Sequence, residues 1–321
     1  MVSVAIIGMG SIAESHLRPL SQSKDVELIA AADIAKEKAE KASAYGIKRF
    51  YVDYREMVEK EKPEAVYILT PPYLHQEQVC FTAEYGAHIF VEKPLECDFH
   101  RAKRILETLK RHRVITQVGY HWRFMDANKK AREILHSQGG PIGLVEGRWW
   151  GGIPGAPWWT DVKLSGGQVT EQTTHIFDQA RWLAGEVRRV YAVLETLMNR
   201  DVPNFRIEDV AVTVLRFEGG AVGVVSSTNA CSPGEIWIKA IAKNLKYEAD
   251  GSKATVYWKD RAETYYNRVN AYAEEDRVFI DCVRRGVETP VPIILEGYKS
   301  LELSLASRES SLIGKPVTIP L

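Results

Sequence analysis

Apolar positions along this chain change their pattern after Gly119, and that change divides the fold. Before it, short and mostly apolar runs stand at residues 2–7, 26–32, 49–52, 65–69, 88–91 and 114–118. Runs of this length suit strands buried on both faces. Helices are predicted between them, over residues 11–20, 35–44, 54–60, 73–85 and 98–112. Strand–helix alternation of this kind gives a doubly wound parallel sheet. Beyond Gly119 a helix is predicted over 123–137, broken by Gly139-Gly140-Pro141, then a strand over 142–150 and a glycine- and proline-rich loop to Gly167. A helix over 169–184, which Gly185 can cap, leads into longer strands at 187–197, 207–217, 221–228, 236–242 and 254–258. Late helices are predicted over 268–285 and 296–311. The expected fold class is α/β followed by α+β, with a mostly antiparallel second sheet. Residues 1–121 form the expected first domain and 122–321 the second. One sheet face left bare by helices would favour self-association.

Composition narrows the classes of partner. The 321 residues suit two domains, and 42 basic and 42 acidic residues cancel. Without a basic stripe or a polybasic end, nucleic acid and membrane surfaces are not expected partners. Four scattered cysteines have no metal-type spacing, and with the eight histidines they make no ligand cluster, so no metal is expected. No signal-peptide pattern opens the chain and no apolar run approaches the ~20 residues of a membrane span. A cytoplasmic protein is expected, its cysteines reduced.

The chemistry gathers at the ends of the predicted parallel strands. Gly8-Met9-Gly10-Ser11-Ile12-Ala13 follows the first strand and opens the first helix, the order that a dinucleotide turn requires. Gly8 permits a tight turn, Gly10 lets the backbone approach a pyrophosphate, and Ala13 lets helix pack on strand. Asp33 closes the second strand 23 residues beyond Gly10. There it either accepts hydrogen bonds from an adenosine ribose or caps the next helix. A carboxylate repels a 2′-phosphate, which favours NAD, while nearby Lys36 and Lys38 keep NADP possible. Glu92-Lys93-Pro94 ends the fifth strand at the same sheet edge as the glycine turn, Asp33 and Thr70–His75, where such sheets bind ligands. In the helix predicted over 169–184, a count at about 100° per residue puts Glu171, His175, Asp178 and Trp182 on the side opposite the apolar stripe. That side is either an ordinary solvated face or a site for proton transfer, with His175 oriented by Glu171 one turn away. Trp149-Trp150 and Trp158-Trp159 flank the glycine-proline loop and either pack internally or offer aromatic faces to a sugar. Adjacent strand residues point to opposite sides, so at most one of Trp149 and Trp150 can line a site.

With Thr70-Pro71-Pro72-Tyr73-Leu74-His75, Val118-Gly119-Tyr120-His121-Trp122-Arg123-Phe124 and Gly166-Gly167 before His175-Ile176-Phe177-Asp178, these motifs carry a resemblance. The chain resembles, nearly end to end, the family of glucose–fructose oxidoreductase, inositol dehydrogenase and the rhizopine-catabolism oxidoreductases (GFO/IDH/MocA). The resemblance implies a nicotinamide-dependent oxidoreductase acting on a sugar, cyclitol or related polyol. It also implies homodimers or homotetramers built through the C-terminal sheet. It makes Lys93 the active-site lysine and His175 the acid/base. Gly10, Ser11, Ile12, Asp33, Pro72, His75, Glu92 and Lys93 become cofactor contacts, and Gly8 and Thr70 join that set at the same strand ends. Glu171 stands where inositol dehydrogenase-like members have an aspartate that partners the histidine and touches substrate. One methylene longer, it reaches a different hydroxyl or only orients His175. His121, Arg123 and Trp158 complete the expected substrate contacts, with an ion-pair role equally open to Arg123. Two other classes stay open: a non-redox enzyme that uses NAD transiently, as in glycoside hydrolysis through a keto intermediate, and a nucleotide-sensing regulator.

Overall fold

The computed structural model describes residues 1–289 and 293–321. In its first part, strands β1 (Val2–Ile7), β2 (Val26–Ala32), β3 (Arg49–Tyr51), β4 (Ala65–Ile68), β5 (His88–Val91) and β6 (Thr116–Val118) pair in parallel. Helices α1 (Ala13–Gln22), α2 (Lys38–Ala44), α3 (Tyr54–Glu61), α4 (His75–Glu84) and α5 (Phe99–Arg111) connect them. The spatial order is β3-β2-β1-β4-β5-β6, so the chain reverses its direction of travel between β1 and β4. In doubly wound sheets that switch point is where a dinucleotide binds. Alternate residues of one strand serve opposite cores: Val4 and Ile6 join Tyr67 and Phe90 on one face, Ala5 and Ile7 join Val66, Ile68 and Ile89 on the other. Burial on both sides is why these strands read as continuous apolar runs.

The second part begins with α6 (Asp126–Gln138) and β7 (Ile142–Trp150), followed by α7 (Val162–Ser165), α8 (Gln168–Glu171) and α9 (Thr174–Ala184). Then come β8 (Val187–Glu195), β9 (Val210–Phe217), β10 (Val222–Thr228), β11 (Glu235–Ala242), β12 (Lys246–Ala249), β13 (Lys253–Tyr257) and β14 (Ala262–Tyr266). Helices α10 (Ala271–Arg285) and α11 (Ile294–Ile313) and a last strand, β15 (Val317–Thr318), end the chain. Among the described residues these strands form a nine-stranded sheet ordered β14-β13-β12-β11-β7-β10-β9-β8-β15. Every pairing is antiparallel except β7 with β10. Helix α9 packs on this sheet through Ile176, whose side chain occupies the space a Cβ at Gly147 would need. On the opposite face Tyr191, Val193, Val212, Val214, Val222 and Ile241 are 37–48% exposed. Register places Tyr191 beside Val214 and Val193 beside Val212, so these side chains share one apolar surface.

Backbone contacts group residues 1–121 with 270–298, and 122–269 with 299–321. A single cut at residue 121 therefore does not describe the compact units. The physical reason is α10: Phe279, Ile280, Cys282 and Val283 are buried in the same core cluster as Val4, Tyr67 and Phe90. The short strands β12, β14 and β15 escape sequence patterning, since four, five and two residues carry too little period to read. Among the described residues no helix is long and apolar enough to cross a membrane.

Candidate cofactor site and catalytic residues

The candidate residues form one set in each compact unit. In the first, the glycine turn follows β1. Gly8 has φ +95°, and a Cβ there would lie 2.8 Å from the Leu69 carbonyl oxygen beyond β4. A Cβ at Gly10 would meet nothing within 4 Å, so the backbone there is open to a phosphate group. Helix α1 starts directly after Ser11 and Ile12, and no side chain caps its N-terminus. Unsatisfied N–H groups in that position bind anions. Asp33 accepts from Met9 N at 2.7 Å through Oδ2 and from Ala35 N at 2.9 Å through Oδ1. It therefore ties the loop after β2 to the glycine turn rather than capping α2, whose N-cap is Glu37, and each carboxylate oxygen keeps a further lone pair. These features fit a dinucleotide. Lys41, which sequence reasoning passed over, also reaches the turn, donating to the Gly10 carbonyl at 2.7 Å.

The Glu-Lys-Pro stretch leaves β5 at the same sheet edge. Glu92 is buried, with Oε2 accepting from Lys93 N at 2.9 Å and Oε1 3.1 Å from His16 Nε2. Burial alone would raise the Glu92 carboxyl, but the hydrogen bond and charge of His16, with the Lys93 charge, outweigh it and hold it below its ordinary value. Gly119 closes the other side, since a Cβ there would sit 2.9 Å from Glu92 Oε1. His75 is also wholly buried. Its Nδ1 lies 3.0 Å from the Pro94 carbonyl and its Nε2 2.8 Å from the Thr70 carbonyl, so it ties two strand-end loops together from behind. Thr70 Oγ1 donates to Gln78 at 2.6 Å, and Pro72 opens a short 3-10 turn, Pro72–Leu74. His121 stacks on Tyr272 with ring centroids 4.3 Å apart, and burial pushes its pKa down to about 4.

In the second unit, Gly166 (φ +77°) and Gly167 (φ +85°) lead into α8. Glu208 accepts from Val169 N at 2.9 Å and so anchors the start of that helix. The sequence predicts one helix over 169–184, but the structure breaks it at residues 172–173. There Thr173 N reaches back to the Gln168 carbonyl at 3.0 Å, and His175 N bonds to the Gln172 carbonyl at 3.2 Å. Glu171 and His175 are therefore on successive helices, and the angular count across them does not apply. The side predicted as polar is not solvated either: Glu171, His175 and Asp178 are all buried. His175 stacks on Trp149 at 5.4 Å, nearly parallel. Trp150 lies on the other side of β7, its Nε1 donating to Ser226 at 3.1 Å and the Arg148 guanidinium over its ring. Of the two roles open to Arg123, the structure shows the ion pair: Nε and Nη2 donate to the Asp178 carboxylate at 2.8 and 2.7 Å. Trp158 stacks on Trp159 at 5.7 Å within the turn Pro157–Thr160.

Sequence reasoning also missed the partners of Glu92. His16 had one visible signal, a polar residue on the buried face of α1 beside Ala13, Leu17 and Leu20. Asp276, whose Oδ1 lies 2.8 Å from His16 Nδ1, had none, because it comes from a helix late in the chain.

Comparison with known proteins agrees with this geometry. Residues 2–120 match the GFO/IDH/MocA oxidoreductase family, NAD-binding Rossmann fold, and residues 129–257 match the GFO/IDH/MocA C-terminal domain. A myo-inositol 2-dehydrogenase of Thermotoga maritima is 29% identical over 96% of this chain and 95% of its own. The scyllo-inositol 2-dehydrogenase (NAD(+)) of Bacillus subtilis is 28% identical over 99% of this chain and 96% of its own. A levoglucosan dehydrogenase solved with NADH and levoglucosan superposes with a TM-score of 0.92 over 100% of both chains at 22% identity. With an NAD-binding Rossmann unit, a matching C-terminal domain and full-length relatives, the chain belongs to the GFO/IDH/MocA family of oxidoreductases.

Proposed function

We propose that this protein is an NAD-dependent dehydrogenase that oxidises a hydroxyl-bearing carbon of a sugar, cyclitol or related polyol. The observation that carries the reading lies within the first unit: a buried, fully engaged Glu92 holds the Lys93 main chain at the sheet edge that also bears the dinucleotide turn. Gly8, Gly10, Ser11 and Ile12 would hold the pyrophosphate and Asp33 the adenosine ribose. A carboxylate at that position favours NAD over NADP. When bound, the nicotinamide supplies the two-electron acceptor. Lys93 donates a hydrogen bond to the reacting oxygen and stabilises negative charge as it develops there. The His175 ring, held flat by Trp149, takes the hydroxyl proton. Glu171 orients that ring or a substrate hydroxyl. His121 and Trp158 are assigned to substrate, while Arg123 fixes α9 through Asp178.

Assembly through the exposed apolar face of the nine-stranded sheet, as a homodimer or homotetramer, belongs to the same reading. So does a cytoplasmic location, which suits cysteines that form no disulfide among the described residues. A panel of polyols and aldoses with NAD or NADP, read at the absorbance of the reduced nicotinamide, tests the activity. Lys93→Ala should lower turnover by roughly 10²-fold or more. Near-normal turnover in that variant rules out the role given to Lys93. A silent panel with both cofactors rules out the dehydrogenase reading.

A further inference from the structure

Behind Lys93 lies a buried charged chain that the proposed reaction does not use directly. His16 is wholly buried, with Nδ1 2.8 Å from Asp276 Oδ1 and Nε2 3.1 Å from Glu92 Oε1. Burial pushes the Asp276 carboxyl up while His16 opposes it, and against two ionised carboxylates both ring nitrogens donate, which makes the ring an imidazolium. Burial on its own would push the His16 pKa down, but Asp276 and Glu92 outweigh it and raise it well above its ordinary value. Glu92 passes the constraint on, because its second oxygen accepts from Lys93 N at 2.9 Å.

We propose that Asp276, His16 and Glu92 form a relay of positioning residues that sets the main chain of Lys93 and the charge beside it. The relay rests on the role given above to Lys93. Three fixed sides hold the Glu92 carboxylate: the imidazolium, the Lys93 N–H and the Cα of Gly119. Around the relay stand Glu275 and Tyr272 from α10, Tyr67 from β4, and His121. Burial drives the Glu275 carboxyl well up and both phenols up, and it drives His121 down, so each of the four is pushed towards its neutral form. Neutralising Asp276 removes the group that keeps His16 doubly protonated. The Nε2 proton of His16 then passes to Glu92, which leaves a neutral imidazole beside a carboxylic acid, and the relay loses its net negative charge beside Lys93.

Asp276→Asn tests this against Lys93→Ala. The expected result is a fall in kcat of roughly tenfold, with NAD affinity by protein fluorescence unchanged. Asp276→Glu should restore kcat. In nitrogen-labelled protein without cofactor, the His16 imidazolium should persist above pH 7 and disappear in Asp276→Asn. An inactive Lys93→Ala beside an Asp276→Asn enzyme that keeps wild-type kcat, or that keeps the His16 imidazolium above pH 7, overturns the relay and leaves Lys93 standing. A Lys93→Ala enzyme with near-normal turnover overturns both. Should Asp276→Asn fail to fold, Gly119→Ala displaces Glu92 from the other side and should lower kcat severalfold at unchanged NAD affinity. Wild-type kcat in that variant also overturns the relay.

Discussion

His16, wholly buried, and His121, half-buried, belong to the same unit, and their surroundings drive them in opposite directions. His16 lies between two carboxylates and is held charged. His121 has an aromatic ring against its face and is held neutral, with a pKa of about 4. The stability each contributes follows by linkage. The His121 pKa is depressed on folding, so the unfolded chain binds the extra proton first as pH falls. Its contribution is whole above about 6.5, the unperturbed value, and is lost as pH drops through about 4. His16 is the reverse case: its contribution is whole below the unfolded value and is lost as pH rises through the raised folded one. Between pH 6.5 and 4, urea unfolding should therefore show a decline in stability, of which His121 supplies on the order of 3 kcal/mol. Replacing His121 by Phe, which keeps a ring against Tyr272, should flatten that part of the curve. A variant with the same acid-side decline excludes His121 as its source.

Among the elements, α9 shows most directly how packing serves chemistry. It lies against β7 so closely that Ile176 takes up the side-chain space of Gly147. The same approach brings Trp149 of β7 under the His175 ring. At the other side of α9, Asp178 holds Arg123 with two hydrogen bonds and accepts from Ser300 Oγ at 3.2 Å. Gly147→Ala forces helix and strand apart, at a cost of about 1–3 kcal/mol for overpacking. It should lower the midpoint of thermal unfolding and, by disturbing the Trp149–His175 stack, reduce turnover as well. Unchanged stability in that variant would show that α9 can shift freely on the sheet.

For the molecule as a whole, the bare sheet face sets the expected assembly. Tyr191, Val193, Val212 and Val214 stand in cross-strand pairs on β8 and β9, and the exposed Val222 extends the surface onto β10. Further along, Glu146 faces Lys239 across β7 and β11, so the same sheet turns from apolar to charged. In the reading proposed above, this apolar patch is the contact between subunits. Because Val214 is 47% exposed, Val214→Glu should leave the fold intact while weakening association. Light scattering would then report a smaller species than the wild type. An unchanged mass would exclude this face as the interface.

The parallel sheet, its dinucleotide turn and the Glu-Lys-Pro strand end were legible in the sequence because they depend on neighbours in the chain. A run of buried apolar residues, a glycine two places before another, and a proline after a lysine act over a few residues whatever the rest of the protein does. The helix carrying His175 was readable as a helix, yet its break at residues 172–173 and the burial of its polar side were not. The burial follows from β7 beneath it, and the anchoring of its first turn from Glu208, both distant in sequence. The return of α10 to the first unit was hidden for the same reason, since an amphipathic helix shows that it will be buried but not against what. Only the tertiary structure could bring Asp276 to His16 and His16 to Glu92. Three ionisable side chains from three separate elements acquire a shared charge state only when folding removes them from water together.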